Sequence, residues 1–388
     1  MDFAVTSEQQ MMIDACRHLV DRHLQPILDA SPGDRPLPKP AAQQILRHLA
    51  TLGLTAARLP ESAGGTGMSA LTYGLLCEQL PPVVTFILLP QETTIARIHF
   101  DCSSEQRANL LPDLIQANRI TCTAATEPDV GSDPRSITTR VREVDGRLRI
   151  NGRKMWISNA TIADVINVTC RDEAQNLVRV LVDRAESKVE AREIPVTGLQ
   201  QCHLGEILFD DCDVPLANKL GSAGDAAKIL TLTWLANRPI IGLCAVHLAQ
   251  KAFKLAKTFA ADRKQFGGRL AGYQLIQARL ADMETAIVAS RLLCYNALAA
   301  IDRGERANGV SAMAKRFAVR ACDEAIALAM QVHGSMGLSQ ELGLERMARD
   351  VRMLSIPDGT PEILTLIQGR EITGVDAFRP QPRKELVQ

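Results

Sequence analysis

One carboxylate near the C-terminus stands where it could do chemistry, within the stretch SIPDGTPEIL (355–364). Asp358 lies between Pro357 and Gly359, is followed by Thr360, and has apolar residues close on both sides. Because proline, aspartate and glycine are typical turn residues, the pattern is compatible with a simple polar turn. It is also typical of a general base in an apolar pocket, where desolvation raises a carboxyl pKa towards useful values. The rest of the sequence decides between these interpretations.

Four other stretches carry hydroxyl, amide, aromatic and basic residues of the kinds that bind cofactors. They are TAATEPDVGSD (123–133), KMWISNA (154–160), DRKQFGGRLAGYQLIQARLADM (262–283) and QVHGSMGL (331–338). Taken singly, each has an ordinary explanation as a polar turn, a buried aromatic residue or a helix-terminal charge. Their meaning depends on the elements that hold them and on their order along the chain.

Three zones of different texture predict three domains. Residues 1–120 follow a helical pattern, residues 121–222 alternate like strands, and residues 223–388 are helical again. The middle zone contains no β-α-β alternation and no G-x-G-x-x-G motif after a strand, which argues against a dinucleotide site of the Rossmann type.

Local signals place several boundaries within these zones. Ser7 and Gln10 predict a capping box at the first helix. The dipeptides Asp145-Gly146 and Asn151-Gly152 predict two hairpin turns of a β-meander. Pro239 predicts a kink or a start in the first long helix, and Gly334 predicts the end of another. The long C-terminal helices are expected at 224–258, 271–302, 309–333 and 360–370.

Composition excludes several classes of protein. The chain has 388 residues, with 44 lysines and arginines against 44 aspartates and glutamates, so nothing favours nucleic acid or an anionic membrane as partner. The ten cysteines form no C-x-x-C pair, which favours reduced, buried thiols. The N-terminus lacks the pattern of a signal peptide, and no apolar run predicts a membrane span. A cytoplasmic enzyme without a metal site is expected.

Together and in this order, the motifs resemble those of the acyl-CoA dehydrogenase family over essentially the whole chain. They read TEPDVGSD, NGRKMWISN, RKQFGGRLAGYQ, QVHGSMG and DGT. The resemblance implies an α+β fold with an N-terminal helical domain, a central β-domain and a C-terminal four-helix bundle, and FAD between them. It also implies a homotetramer and an electron-transfer flavoprotein as the electron acceptor.

The resemblance implies a set of cofactor contacts that suits the chemistry of FAD. Two phosphates need a cation and several donors, and a reactive flavin needs an apolar wall beside a hydroxyl that can bond N5. Residues 331–335 would reach FAD from a neighbouring subunit. The implied contacts are Thr123, Ala125, Thr126, Ser132, Trp156, Ile157, Ser158, Arg263, Gln265, Phe266, Tyr273, Gln274, Gln331, Gly334, Ser335, Gly359, Thr360 and Glu362.

The resemblance also places Asp358 where the family carries a glutamate that removes the α-proton of an acyl thioester. The β-hydrogen would leave as hydride to the flavin, and hydrogen bonds to the thioester carbonyl would act like an oxyanion hole. Aspartate is one methylene shorter, so its oxygens fall about 1 Å short, and a misplacement of that size costs roughly 10²-fold in rate. Pro357 restricts the loop and could re-aim it.

Other residues are expected near the substrate. Some family members carry the base at the position of Asn237, and an amide cannot serve as a base. Glu92 is the second candidate base, on a helix expected to line the acyl pocket. Ser132 and Arg238 complete the implied substrate contacts.

Several activities remain open. The donor could be acyl-CoA or an acyl group on a carrier protein, because acidic and basic neighbours common beside Arg238 in the family are absent here. An oxidase that passes electrons to oxygen, and a homologue that binds FAD or thioester with little turnover, are the alternatives to a dehydrogenase.

Overall fold

The computed structural model describes residues 5–221 and 226–377, and the side chains of 226–233 lie outside the description. The predicted domain boundary at 222/223 and the predicted helix start at 224 therefore fall outside the described residues. Contacts divide the chain into two compact units that separate after Thr233.

The first unit begins with helices. They are α1 (Ser7–Leu19), α2 (Gln25–Asp29), α3 (Lys39–Thr51), α4 (Ala70–Cys77), α5 (Pro82–Asp101) and α6 (Ser104–Ile115). The capping box of α1 lies one residue earlier than predicted, on Thr6 and Gln9 in place of Ser7 and Gln10. Thr6 has the extended backbone that an N-cap requires, and its hydroxyl accepts from the Gln9 amide at 3.1 Å.

A twisted sheet completes the first unit. Its strands are β1 (Thr121–Ala124), β2 (Arg140–Val144), β3 (Arg147–Ser158), β4 (Val165–Arg171), β5 (Leu177–Asp183), β6 (Glu190–Glu193), β7 (Leu204–Pro215) and β8 (Lys219–Leu220). The order is β6-β7-β3-β2-β4-β5-β8, and β1 pairs with β4 in parallel. Apolar residues of these strands form one buried cluster, so the sheet is a rigid support for the loops at its ends.

One predicted hairpin is present and the other is wrong. Asp145 and Gly146 join β2 to β3, as predicted. Asn151 and Gly152 lie inside β3, at a register shift against β7. Gly152 has φ +151°, and a Cβ there would lie 2.5 Å from the hydroxyl oxygen of Thr139. The glycine serves a close approach within a bulged strand, which local turn statistics cannot distinguish from a turn.

The second unit is mainly helical. It contains α7 (Ala226–Asp262), a short hairpin of β9 (Lys264–Gln265) and β10 (Gly268–Arg269), α8 (Gln274–Asp302), α9 (Asn308–His333), α10 (Leu344–Met353) and α11 (Pro361–Thr373). The first residues of α7 fall in the first unit. Pro239 lies inside α7 and does not mark its start. Gly334 ends α9 with φ +59°, as predicted. Helix α10 is only ten residues long and is not among the predicted helices.

Two compositional expectations can be compared with the structure. All ten cysteines are buried and free, and burial raises the pKa of Cys16, Cys102, Cys122 and Cys170 to about 12. Among the described helices, α8 has the length and composition of a membrane span, a test that core helices also pass. It packs against α9, and its buried residues include Met283, Ile287 and Cys294.

We expect Gly152→Ala to destabilise the first unit by about 1–3 kcal/mol, because it adds a methyl group against Thr139 at a backbone angle that alanine rarely adopts. Urea unfolding followed by circular dichroism measures the loss. Gly369→Ala is the control, since Gly369 lies in α11 with no neighbour within 4 Å of a new Cβ. Gly369→Ala should leave the free energy of unfolding unchanged or raise it by up to about 1 kcal/mol. Equal stability of the Gly152→Ala variant and the native chain would contradict the bulge argument.

Candidate active site

An exposed indole marks the end of β3 in the first unit. Between Lys154 and Ile157 the pairing of β3 with β7 changes register, and Trp156 sits in this irregularity with φ +62°. A left-handed backbone at a bulky residue costs on the order of 1–3 kcal/mol and persists only where surrounding structure enforces it. The bulge leaves Trp156 49% exposed, buries Ile157 and leaves Ser158 half-buried. An aromatic wall beside a hydroxyl is thus present on the strand.

The loop after β1 is fastened to the same place on β3 through Glu127. Its carboxylate accepts hydrogen bonds from the amides of Thr138 and Thr139 at 2.7 and 2.8 Å and from both of their hydroxyls at 2.6 Å. The buried ammonium of Lys154 lies 2.9 Å from the same carboxylate and donates to the carbonyl of Ala125 at 2.9 Å. These contacts hold the loop against β3 two residues before Trp156.

The surroundings of Glu127 favour its anionic form. Burial raises its pKa, but the hydrogen bonds from the two threonines and Lys154 outweigh burial and bring that pKa down to about 2. Burial also lowers the pKa of Lys154 below its ordinary value, a shift that the Glu127 carboxylate partly offsets. The pair therefore stays charged in a buried place because every oxygen has donors.

The structure brings most of the predicted flavin residues of the first unit together. The amide of Met155 donates to the carbonyl of Thr126 at 2.9 Å, which joins Ala125 and Thr126 to the strand that carries Trp156, Ile157 and Ser158. The hydroxyl of Thr123 lies 2.9 Å from that of Thr94, and Ser132 is exposed farther along the loop. A strained, exposed aromatic residue beside hydroxyl groups fits the needs of a flavin ring.

Asp358 lies in the second unit, on the loop between α10 and α11. Its φ is +53°, in the left-handed region, and its side chain is half-buried. Gly359 follows with φ +113°, where a Cβ would meet Leu364 at 3.1 Å. Thr360 caps α11, with its hydroxyl 3.4 Å from the amide of Ile363. Glu362 is exposed in the first turn of α11. The predicted turn therefore exists, and it carries backbone strain at the candidate base.

Two buried cations hold the carbonyl groups of this loop. Arg238 of α7 donates from Nε to the carbonyl of Asp358 at 2.9 Å. Lys315 of α9 donates to the carbonyls of Ser355 at 3.4 Å and Gly359 at 2.7 Å, and it also contacts that of Pro357. Burial lowers the pKa of Lys315 to about 7, although the charge of Asp358 acts in the opposite direction. Burial likewise lowers the pKa of Arg238.

The other predicted substrate residues have different surroundings. Asn237 is buried next to Arg238, and its amide oxygen has no hydrogen-bond partner among the described residues. Glu92 is fully buried in the first unit and forms an ion pair with Arg58, which contacts both carboxylate oxygens. This charge raises the pKa of Arg58 despite its burial. Arg58 occupies both oxygens of this carboxylate, so the geometry does not favour Glu92 as a base.

The remaining predicted cofactor residues lie far from Asp358 within the second unit. Phe266 is 97% exposed at the tip of the β9–β10 hairpin, and the hydroxyl of Tyr273 donates to the carbonyl of Gln265 at 2.6 Å. The end of α7 adjoins the end of α9, because the rings of Phe259 and His333 are 4.5 Å apart. Exposed side chains or backbone at this end are Arg263, Gln265, Phe266, Gln274, Gln331, Gly334 and Ser335.

Helix geometry separates these residues from the base loop. Lys315, which contacts the loop, and Gln331 are about 24 Å apart along α9, at roughly 1.5 Å per residue. The structure therefore does not bring the predicted contacts of the second unit to one place within a single chain.

Sequence reasoning missed three residues that shape the candidate sites: Glu127, Lys154 and Lys315. A signal existed for Lys315, since it falls on the buried stripe of α9 with Ser311, Ala318 and Cys322 at helical spacing. A charged residue on such a stripe must have a buried partner. No comparable pattern in the nearby sequence predicts that Glu127 and Lys154 are buried and paired with each other.

Comparisons with known proteins agree with the fold. The family descriptions that match are "Acyl-CoA dehydrogenase, N-terminal domain" over residues 6–118, "middle domain" over 122–212 and "C-terminal domain" over 229–373. Benzylmalonyl-CoA dehydrogenase of Aromatoleum aromaticum is 31% identical, with 96% of this chain and 100% of that protein covered. Caffeyl-CoA reductase-Etf complex subunit CarC of Acetobacterium woodii is 30% identical, with 84% and 88% covered.

A solved structure is similar along the whole chain. A glutaryl-CoA dehydrogenase from Mycobacterium smegmatis in complex with FADH2 has a TM-score of 0.87 and 25% identity, with 96% of both chains covered. This chain belongs to the acyl-CoA dehydrogenase family. It is an FAD-dependent oxidoreductase that acts on the CH–CH bond of acyl thioesters.

We expect Glu127→Gln to destabilise the apoprotein by about 1–3 kcal/mol at pH 7, because the amide loses one acceptor oxygen and leaves Lys154 unpaired. The pKa of Glu127 is depressed, so its stabilisation is complete above its ordinary value of 4.5 and is lost as pH falls towards about 2. The difference in free energy of unfolding between the native chain and the variant should therefore decrease as pH falls over this range. Denaturant unfolding at several pH values measures it.

Glu143→Gln, an exposed carboxylate change on the same sheet, is the matched control and should leave stability within about 0.5 kcal/mol. If the difference in free energy of unfolding between the native chain and Glu127→Gln stays constant from pH 6 to pH 3, the assignment of Glu127 as a buried anion is contradicted.

Proposed function

We propose that Asp358 is the general base that removes the α-proton of the acyl thioester. The observation that carries this proposal is the conformation of its loop, in which a carboxylate stands on a left-handed backbone held by Arg238 and Lys315. A left-handed backbone at a non-glycine residue is uncommon, and such positions cluster at functional sites, where the surrounding contacts hold them. The half-buried carboxylate also remains accessible to a ligand.

The reaction removes a proton and a hydride from the substrate. Asp358 takes the α-proton, and bound FAD supplies the acceptor for the β-hydride, so that a C=C bond forms next to the thioester carbonyl. Trp156 would wall the flavin ring, and the hydroxyls of Thr126 and Ser158 would donate to it. Their fixed position on and beside β3 supports these roles.

The shorter side chain of aspartate affects the geometry of proton removal. The carbonyls of this loop are held at four of the five positions from 355 to 359, all but Ile356, so the loop has little freedom to advance a short carboxylate by about 1 Å. We infer that the loop is built for aspartate, with Pro357 and the left-handed Asp358 setting a different approach to the α-carbon.

The electron acceptor, donor and location are further parts of the proposal. An electron-transfer flavoprotein as acceptor is supported by the related caffeyl-CoA reductase, whose name places it in an Etf complex. Acyl-CoA is the proposed donor, with a carrier-protein thioester as the alternative. A cytoplasmic location stays a prediction.

We also propose a homotetramer in which Arg263 and residues 331–335 contact FAD bound to another copy. The wide separation of these residues from Asp358 along α9 supports this arrangement. Large exposed apolar side chains lie in the same region: Phe266, Leu275 and Leu338. Apolar side chains this exposed are typical of surfaces that are covered in an assembly.

We expect Asp358→Asn to keep bound FAD and thioester affinity but to slow flavin reduction by about 10²–10⁴-fold, because the amide offers no basic lone pair. Anaerobic stopped-flow absorbance with a panel of acyl thioesters measures flavin bleaching. Asp358→Glu should also be slower if the loop is built for aspartate. Unchanged reduction in Asp358→Asn would show that Asp358 is only a turn residue.

The same panel distinguishes the alternative activities. Bleaching by an acyl-CoA supports the proposed donor, whereas bleaching by carrier-protein thioesters alone would replace it. A spectral shift without bleaching indicates a binding protein. Peroxide release during turnover without an electron-transfer flavoprotein indicates an oxidase.

We expect the double variant Phe266→Ser, Leu338→Ser to dissociate at least tenfold more readily than the native assembly, because burial of each side chain contributes about 1.5–3 kcal/mol. FAD content should fall with assembly. Sedimentation velocity and absorbance at flavin wavelengths measure both. Phe100→Ser, an equally apolar exposed change in the first unit, is the control. A native monomer that holds FAD firmly would contradict the proposal.

A further inference from the structure

Lys315 is buried where an apolar side chain would be expected. It is 1% exposed, and its neighbours on the buried stripe of α9 are small, mostly apolar residues such as Ala312, Ala318 and Val319. Burial of an ammonium group is unfavourable unless oxygen atoms replace its water. Here the replacing oxygens are all backbone carbonyls of the loop that carries Asp358.

The contacts act on the two backbone angles of Asp358. The angle φ turns the peptide plane between residues 357 and 358, and the carbonyl of that plane belongs to Pro357, which Lys315 holds. The angle ψ turns the next plane, whose carbonyl belongs to Asp358 and is held by Arg238 at 2.9 Å. Relaxation of φ from +53° to an ordinary negative value would break the contact with Lys315.

The flanking carbonyls prevent a compensating movement. Lys315 also donates to Gly359 at 2.7 Å and reaches Ser355 at 3.4 Å, so the loop is held on both sides of Asp358. A lysine has three donors and can satisfy all three carbonyls, which no apolar residue can do.

We propose that Lys315 is a positioning residue that sets the direction of the Asp358 carboxylate by holding the peptide groups on either side of it. The effect on the loop follows from the contacts alone, whereas the effect on turnover rests on the proposed function of Asp358. Charged groups near this cluster include Asp358 and Arg238, so the ammonium has an anion and a cation as neighbours.

Lys315→Met removes the donors and keeps a similar length. In the FAD-loaded protein we expect amide hydrogen exchange of residues 355–360 to accelerate at least tenfold, with the rest of α9 unchanged. Flavin reduction by the acyl thioester that bleaches the native protein should slow by about 10–10²-fold, while the thioester Kd changes less than threefold. Lys251→Met, an exposed lysine change on α7, is the matched control and should alter neither.

Lys315→Arg restores charge and donors and should recover part of both effects. If Lys315→Met does not fold, Lys315→Gln is measured instead, and faster exchange confined to the loop supports the proposal. Unchanged loop exchange in a folded variant would overturn it, as would an equal loss of thioester affinity and reduction rate. Because exchange is measured without turnover, an inactive Asp358 would defeat the proposed function while leaving this test decisive.

Discussion

A buried ammonium group must be surrounded by oxygen atoms, and this constraint organises both candidate sites. Lys154 finds its oxygens on Glu127 and Ala125, which fastens the loop after β1 to β3. Lys315 finds them on the carbonyls of the loop between α10 and α11. In each unit, a lysine on a strand or helix hydrogen-bonds to a neighbouring loop and restrains it. These hydrogen bonds fix each loop relative to the strand or helix that carries the lysine.

Backbone strain accompanies both lysine contacts. Trp156 has a left-handed angle that a bulky residue rarely adopts, and Asp358 has one that is uncommon, although aspartate adopts it more readily than most residues. Trp156 comes directly after Lys154 and Met155, whose hydrogen bonds hold the loop after β1. The carbonyls of Pro357 and Asp358 are held by Lys315 and Arg238. Such backbone outliers cluster at functional sites, where the surrounding contacts offset their cost.

The candidate site was only partly predictable from sequence, and particular residues show why. Asp358 was predicted because proline, glycine and threonine accompany it within three residues. The predicted Asn151-Gly152 turn was wrong because the same dipeptide also suits a bulge, and the choice depended on Thr139, thirteen residues before Gly152 in the chain. The ion pair of Glu92 with Arg58 was also not predictable from the sequence around Glu92. Its partner lies on a different element, beyond any local pattern.

The sequence by itself determined the order of the helical and strand-forming zones, the family, and the positions of Asp358 and Trp156 within its motifs. These depend on periodicity and on motifs whose members are close together in the chain. Only the tertiary structure decided which charges are buried, which carbonyls they bind and which peptide planes are locked. Lys315 and Pro357 are separated by more than forty residues, and their contact exists only because α9 packs beside the loop. Long-range electrostatic partners are set by packing, and packing is not written in any single segment.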